Sequence, residues 1–135
     1  MIGLDTNVLV RYVAQDDPRQ SLAATRLIEK ELSADNPGFV SLIVVCEILW
    51  VLASVYNMDE PGLNSVVERL LAARELRIEQ SQLVRSALTT RAASSAGLTD
   101  ILIGMVNADH GARETVSFDK RAGRLPGWQI GRAHV

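Results

Sequence analysis

Four acids stand where this chain could do chemistry: Asp5, Glu47, Asp100 and Asp119. Asp5 closes a short apolar stretch that the pattern reads as a buried strand, and the amphipathic run from Val8 to Val13 follows at once. Asp119 closes a second apolar stretch, Thr115 to Phe118, and Glu47 and Asp100 fall in early turns of two predicted helices. In parallel α/β units, strand ends and helix starts share the edge where ligands bind, so acids far apart in sequence can meet there. Such a cluster is unstable alone, because two carboxylates about 4 Å apart repel by around 4 kcal/mol at an effective dielectric of ~20. It calls for divalent cations. No His or Cys lies at a ligand position, and an all-oxygen donor set selects Mg²⁺ or Mn²⁺. Ions held this way activate water and screen a phosphodiester, and two of them could stabilise both the attacking and the leaving oxygen.

Each acid also has an ordinary reading. Asp5, Asp100 and Asp119 are residue types that cap helices and form turns. Glu47 lies between Leu42–Cys46 and Ile48–Ala53, so the sequence predicts a buried carboxylate, which needs a cation, a proton or an Arg partner.

The elements that position these residues follow in chain order. After the first strand and helix, Asp17 can cap and Pro18 can open a second helix that runs to about Leu32. Ser33 to Gly38 reads as a loop, Phe39-Val40 as a short strand, and Ser41 as the cap of a helix from Leu42 to Tyr56 that is apolar nearly all round. Asp59 to Gly62 opens another helix, Leu76 to Glu79 is a candidate strand, and Ser81 to Ala96 a more polar helix ended by Gly97. Thr99 or Asp100 starts the next helix, with Ile101, Leu102, Met105, Val106 and Ala108 inward and Gly111 closing it. Thr115 to Phe118 is then a strand, Lys120 to Gly127 a basic loop, and Trp128 to Ile130 the last strand. Strands alternating with one or two helices predict an α/β fold: one domain over residues 1–135, three layers (α/β/α), and a mostly parallel central sheet of about five strands.

Composition narrows the function. The chain has 135 residues, 47% of them hydrophobic, which suits a single well-filled core. Its net charge is −2, so a polyanionic partner has to be held by a local basic patch or by metal ions. Lys30 and Lys120 are the only lysines, and the other basic residues are Arg, the better bidentate phosphate ligand. Arg11, Arg91, Lys120, Arg121 and Arg124 are candidates for an RNA-binding rim. Cys46, the single cysteine, fits an inert core position in a reducing compartment. Neither a signal-peptide pattern nor an apolar run of membrane-spanning length is present in the sequence, and a soluble cytoplasmic protein is expected. His110 and His134 match no motif and are read as a cap and a tail residue.

Four blocks carry a resemblance that spans nearly the whole chain: Leu4-Asp5-Thr6-Asn7, Ser41 with Glu47, Leu98-Thr99-Asp100-Ile101-Leu102-Ile103, and Ser117-Phe118-Asp119. In this order they resemble PIN-domain proteins, most closely the VapC-type toxin ribonucleases of toxin-antitoxin pairs. Thr99 stands where that family usually has Ala, and Ser117 where it usually has Thr. The resemblance implies that Asp5, Glu47 and Asp100 are the principal metal-binding acids and Asp119 a fourth, often outer-sphere. Thr6, Asn7 and Ser117 would orient the acids or the substrate phosphate. It further implies a Mg²⁺- or Mn²⁺-dependent endoribonuclease that acts on structured RNA such as tRNA or rRNA and leaves 5′-phosphate and 3′-hydroxyl ends. A homodimer and a cognate VapB-type antitoxin belong to the same expectation.

Two other readings compete. A PIN-like regulator could bind DNA or a protein partner without cleaving. A phospho-acceptor signalling domain also keeps an acidic Mg²⁺ pocket at strand ends, but it needs an Asp after a middle strand, and this chain offers no convincing one.

Overall fold

The computed structural model describes residues 1–92 and 96–131, so His134 and residues 93–95 of the helix expected to run to Ala96 lie outside them. The chain divides into two compact units, Met1–Ser81 and Gln82–Val135. Among the described residues there are five strands, as expected, and every pairing is parallel, in one set of three and one set of two. The α/β class predicted from the sequence is therefore the class observed.

In the first unit the order is β1 (Ile2–Gly3), α1 (Thr6–Ala14), α2 (Pro18–Arg26), β2 (Gly38–Val40), α3 (Leu42–Ser54), α4 (Glu60–Ala72) and β3 (Leu76–Ile78). The strands lie side by side as β1-β2-β3. Crossovers between parallel strands are right-handed, and two that advance in the same direction put both helix pairs on one face. Consistent with this, α1 packs on α2 and α3, and α3 packs on α4.

Local chemistry explains the helix starts. Asp17 Oδ1 accepts the Gln20 N–H at 3.0 Å with Pro18 in the first turn, Ser41 Oγ accepts the Val44 N–H at 3.2 Å, and Asp59 Oδ1 accepts the Gly62 N–H at 2.9 Å. These side chains satisfy donors that a helix leaves open, each worth about 1 kcal/mol. The run expected as a helix to Leu32 changes pitch: Leu27–Glu31 is a π turn, with the Leu32 N–H on the Leu27 carbonyl at 2.9 Å. Leu9, Ile28, Val40, Val45, Ile48 and Leu52 form the centre of the core, and each buried side chain of this size contributes roughly 1.5–3 kcal/mol. Gly38 is needed beneath them, since a Cβ there would sit 2.7 Å from Leu4 and 2.8 Å from Leu32.

Two expectations are corrected. The opening strand is exposed, and Leu4, just after it, is the buried residue. Likewise α3 is not covered all round. Ile43 is 74% exposed, Trp50 is 68% exposed, and Glu47, on the same stripe, is exposed as well. Residues three and four apart share a helix face, so an apolar sequence here coexists with one open stripe. Glu47 is therefore not the buried charge that its apolar neighbours predict.

The second unit comprises α5 (Ser81–Ala92, which starts at the junction), α6 (Leu98–Asp109), β4 (Thr115–Ser117), a 3₁₀ turn at Ala122–Arg124 within the expected loop, and β5 (Trp128–Ile130). Helix α6 begins earlier than expected, at Leu98 with Gly97 as its cap. Ile101 and Leu102 are inward as expected, while Met105 and Val106 are half-buried and Ala108 is exposed. His110 caps the end of α6, its Nδ1 2.9 Å from the Val106 carbonyl, and Gly111 turns the chain at φ +92°. Strand β4 pairs with β5 from Thr115↔Trp128 to Ser117↔Ile130. Among the described residues no helix is long and apolar enough to cross a membrane.

Candidate active site

Asp5 and Glu47 are brought together by Thr6. Asp5 occupies the N-cap of α1, in extended backbone, and its Oδ1 accepts the Thr6 N–H at 2.8 Å. Thr6 is 8% exposed, and its hydroxyl donates to Glu47 Oε1 at 2.9 Å. One buried residue thus holds a carboxylate at each of its two polar ends, one from the start of α1 and one from the second turn of α3. Among the described residues neither acid is paired with Lys or Arg. The Arg partner that would have made Glu47 purely structural is replaced by the Thr6 hydroxyl.

These groups line one cleft of about 400 Å³, with Asn7, Val10, Arg11, Val51, Val55 and Tyr56 forming the rest of its wall. Arg11 does not lie open as a simple rim residue. Its Nη1 donates to Asp16 Oδ1 at 3.3 Å and to the Tyr56 hydroxyl at 3.2 Å, and its Nε donates to Gln20 Oε1 at 2.8 Å. The Tyr56 hydroxyl in turn donates to Asp16 Oδ2 at 2.7 Å. That hydrogen bond holds the Asp16 carboxyl below its ordinary pKa, and the same carboxylate raises the Tyr56 hydroxyl. Sequence reasoning missed Tyr56, Asp16 and Gln20. The contacts of Arg11 and Asp16 with Tyr56 span 45 and 40 residues, and no local pattern marks them.

Glu79 was also missed. It follows β3, its N–H bonds the Val40 carbonyl at 2.9 Å, and its Oε1 accepts the Leu42 N–H at 2.7 Å. Its carboxylate therefore serves the first turn of α3 and steadies the helix that carries Glu47.

In the second unit Asp100 sits in the first turn of α6 and is half-buried. Asp119 follows β4. Its Oδ1 accepts the Arg121 N–H at 2.8 Å and lies 3.5 Å from the Ala122 N–H, while its own N–H donates to Ser117 Oγ at 3.0 Å. Asp5 thus caps a helix and Asp119 shapes a turn, the two ordinary uses of their residue type. Lys120, Arg121 and Arg124 are exposed, and Arg91 is half-buried.

Among the described residues no three His, Cys, Asp or Glu side chains are grouped to hold a metal ion. The pair in the cleft nevertheless suits a hard cation. Mg²⁺ keeps several waters and is commonly held by one or two carboxylates together with substrate phosphate. Thr6 occupies one oxygen of each acid, and the other oxygen of each has no partner among the described residues.

Parallel strands, helix starts and an acidic cleft beside the end of β1 define an α/β protein of the kind whose ligands bind at the carboxyl ends of its strands. The PIN domain family matches residues 2–127, running through both units, and the chain belongs to that family. PIN domains are a nuclease-type fold, generally metal-dependent and acting on nucleic acid. A comparison with curated proteins finds no match.

Proposed function

We propose that this PIN domain is a Mg²⁺- or Mn²⁺-dependent endoribonuclease of the VapC toxin type, cutting structured RNA to 5′-phosphate and 3′-hydroxyl ends. The observation that carries the reading is the Thr6-centred pair of Asp5 and Glu47 in a cleft, in a chain of this family. Asp5 and Glu47 would hold the ion, with Asp100 and Asp119 as the further acids and Asn7 and Ser117 as polar neighbours that orient acid or phosphate. When bound, the ion supplies Lewis acidity and lowers the pKa of its water. The chain supplies orientation: Thr6 fixes one oxygen of each carboxylate, and Val10, Val51 and Val55 line the apolar side of the cleft. The remaining parts of the proposal are action in the cytoplasm as a homodimer and inhibition by a cognate VapB-type antitoxin.

Purified protein should cleave RNA with Mg²⁺ or Mn²⁺ and stop with EDTA, and end-mapping should return 5′-phosphates. Asp5→Asn or Asp100→Asn should lower the rate at least 100-fold while leaving the melting curve in place. Wild-type cleavage by both variants would remove the catalytic assignment.

A further inference from the structure

The cleft that holds Asp5 and Glu47 has a second end, built differently. There Arg11 is fixed through Nε and Nη1 by Gln20, Asp16 and Tyr56, and among the described residues its Nη2 has no partner. A guanidinium is a planar fork, so fixing two of its nitrogens also fixes the direction of the third. Beside it lie Val10, Val51 and Val55, with the Tyr56 ring completing the wall. The cleft thus joins an anionic end, which takes phosphate only through a cation, to a cationic and apolar end, which needs none. The volume of the whole cleft, about 400 Å³, is at the small end of the roughly 300–1,000 Å³ range of ligand pockets.

Resting on the nuclease reading above, we propose that this half of the cleft binds one unpaired ribonucleotide next to the bond that is cut. Arg11 Nη2 takes its phosphate, and Val10, Val51, Val55 and the Tyr56 ring take its base. Asp16 and Tyr56 act as positioning residues that aim Arg11. The base has to be unpaired, because a stacked A-form duplex keeps its bases from an apolar side-chain wall, while a splayed single-stranded base reaches it. Substrate choice would then be set by RNA that exposes a loop or an end, with the acids indifferent to sequence.

The test is a methyl NMR titration in EDTA with a single-stranded oligoribonucleotide, and with the same strand in a duplex. Single strand should shift the Val10, Val51 and Val55 methyls without metal, and duplex should not. Arg11→Ala should raise Kd about tenfold or more, the loss expected for a hydrogen bond to a charged group. Tyr56→Phe should raise it about threefold by freeing Arg11. Val55 is 62% exposed, so Val55→Glu and Val55→Lys should fold like wild type and move Kd in opposite directions, up and down. Absent methyl shifts, equal shifts with duplex, or an unchanged Kd in Arg11→Ala and Val55→Glu would each overturn the subsite. If these binding results hold but no RNA is cleaved with Mg²⁺ or Mn²⁺, the nuclease reading fails and the subsite stands. If RNA is cleaved but the variants bind like wild type, the subsite fails alone.

Discussion

Replacing Thr6 by Val separates what the hydroxyl does for the fold from what it does for the acids. Valine keeps the shape of threonine and its backbone N–H, so the bond to Asp5 Oδ1 at 2.8 Å survives, while the 2.9 Å bond to Glu47 Oε1 is lost. A hydrogen bond to a charged group is worth about 1.5–3 kcal/mol when its partner is left stranded. Glu47 is exposed, so water replaces the lost donor, and the buried hydroxyl no longer needs a partner. The net change in stability should stay within about 1 kcal/mol, or roughly 3–5 °C in Tm for a chain of this size. Metal binding should suffer more. Removing the group that orients a ligating carboxylate typically costs 10–100-fold in affinity or activity. Calorimetric Mn²⁺ titration, an RNA cleavage rate and a thermal melt measure the three quantities, and Thr6→Ser restores the hydroxyl as a control. Wild-type Mn²⁺ affinity and rate in Thr6→Val would refute the orienting role. A loss of about 3 kcal/mol or more in stability would show instead that the hydroxyl serves the fold.

Three further outcomes are expected. In Gly104→Ala the new Cβ would lie 2.3 Å from Trp128 Nε1, so overpacking should cost about 1–3 kcal/mol, and an unchanged Tm would contradict the close approach. Burial raises the Cys46 thiol, so alkylation by iodoacetamide at pH 8 should be much slower than in the urea-unfolded chain, and equal rates would place the thiol in water. The hydrogen bond from Tyr56 lowers the Asp16 pKa, so the stability it adds is present above the ordinary Asp value and is lost as pH falls through the lowered folded value. Tyr56 is shifted the other way, so its share is present below the ordinary tyrosine value and is lost as pH rises through the raised one. Urea melts of wild type and Tyr56→Phe should therefore converge in acid, and a gap at pH 3 as large as at pH 7 would exclude the Asp16 linkage.

What could be read from the chain alone was local. Asp17 with Pro18, Ser41 and Asp59 announced helix starts because capping involves only neighbouring backbone, and those caps are observed. Strand β5 was placed to the residue, since Trp128-Gln129-Ile130 lies between glycines that end it. The exposure of Glu47 was not legible, because mean hydropathy does not tell which stripe of a helix lacks a neighbour. The π turn at Leu27–Glu31 depends on one extra residue per turn, which leaves no composition signal. The Arg11 network was invisible for another reason: Arg11 could be flagged as a basic residue, but Tyr56, the group that aims it, comes from beyond the end of α3.

Trp50, on the open stripe of α3, and Trp128, against Gly104, are the only two tryptophans, and each belongs to a different unit. The molecule therefore carries its own pair of fluorophores. Trp50 is already bathed in water, so its emission should hardly move on denaturation, whereas Trp128 should shift to the red when β5 leaves α6. A red shift that coincides with loss of helical circular dichroism would mean that the two units melt as one, and separated transitions would mean that they do not. Trp50 also stands one helical turn from Glu47, so quenching of its emission by paramagnetic Mn²⁺ would be a label-free test of the ion uptake proposed for that carboxylate.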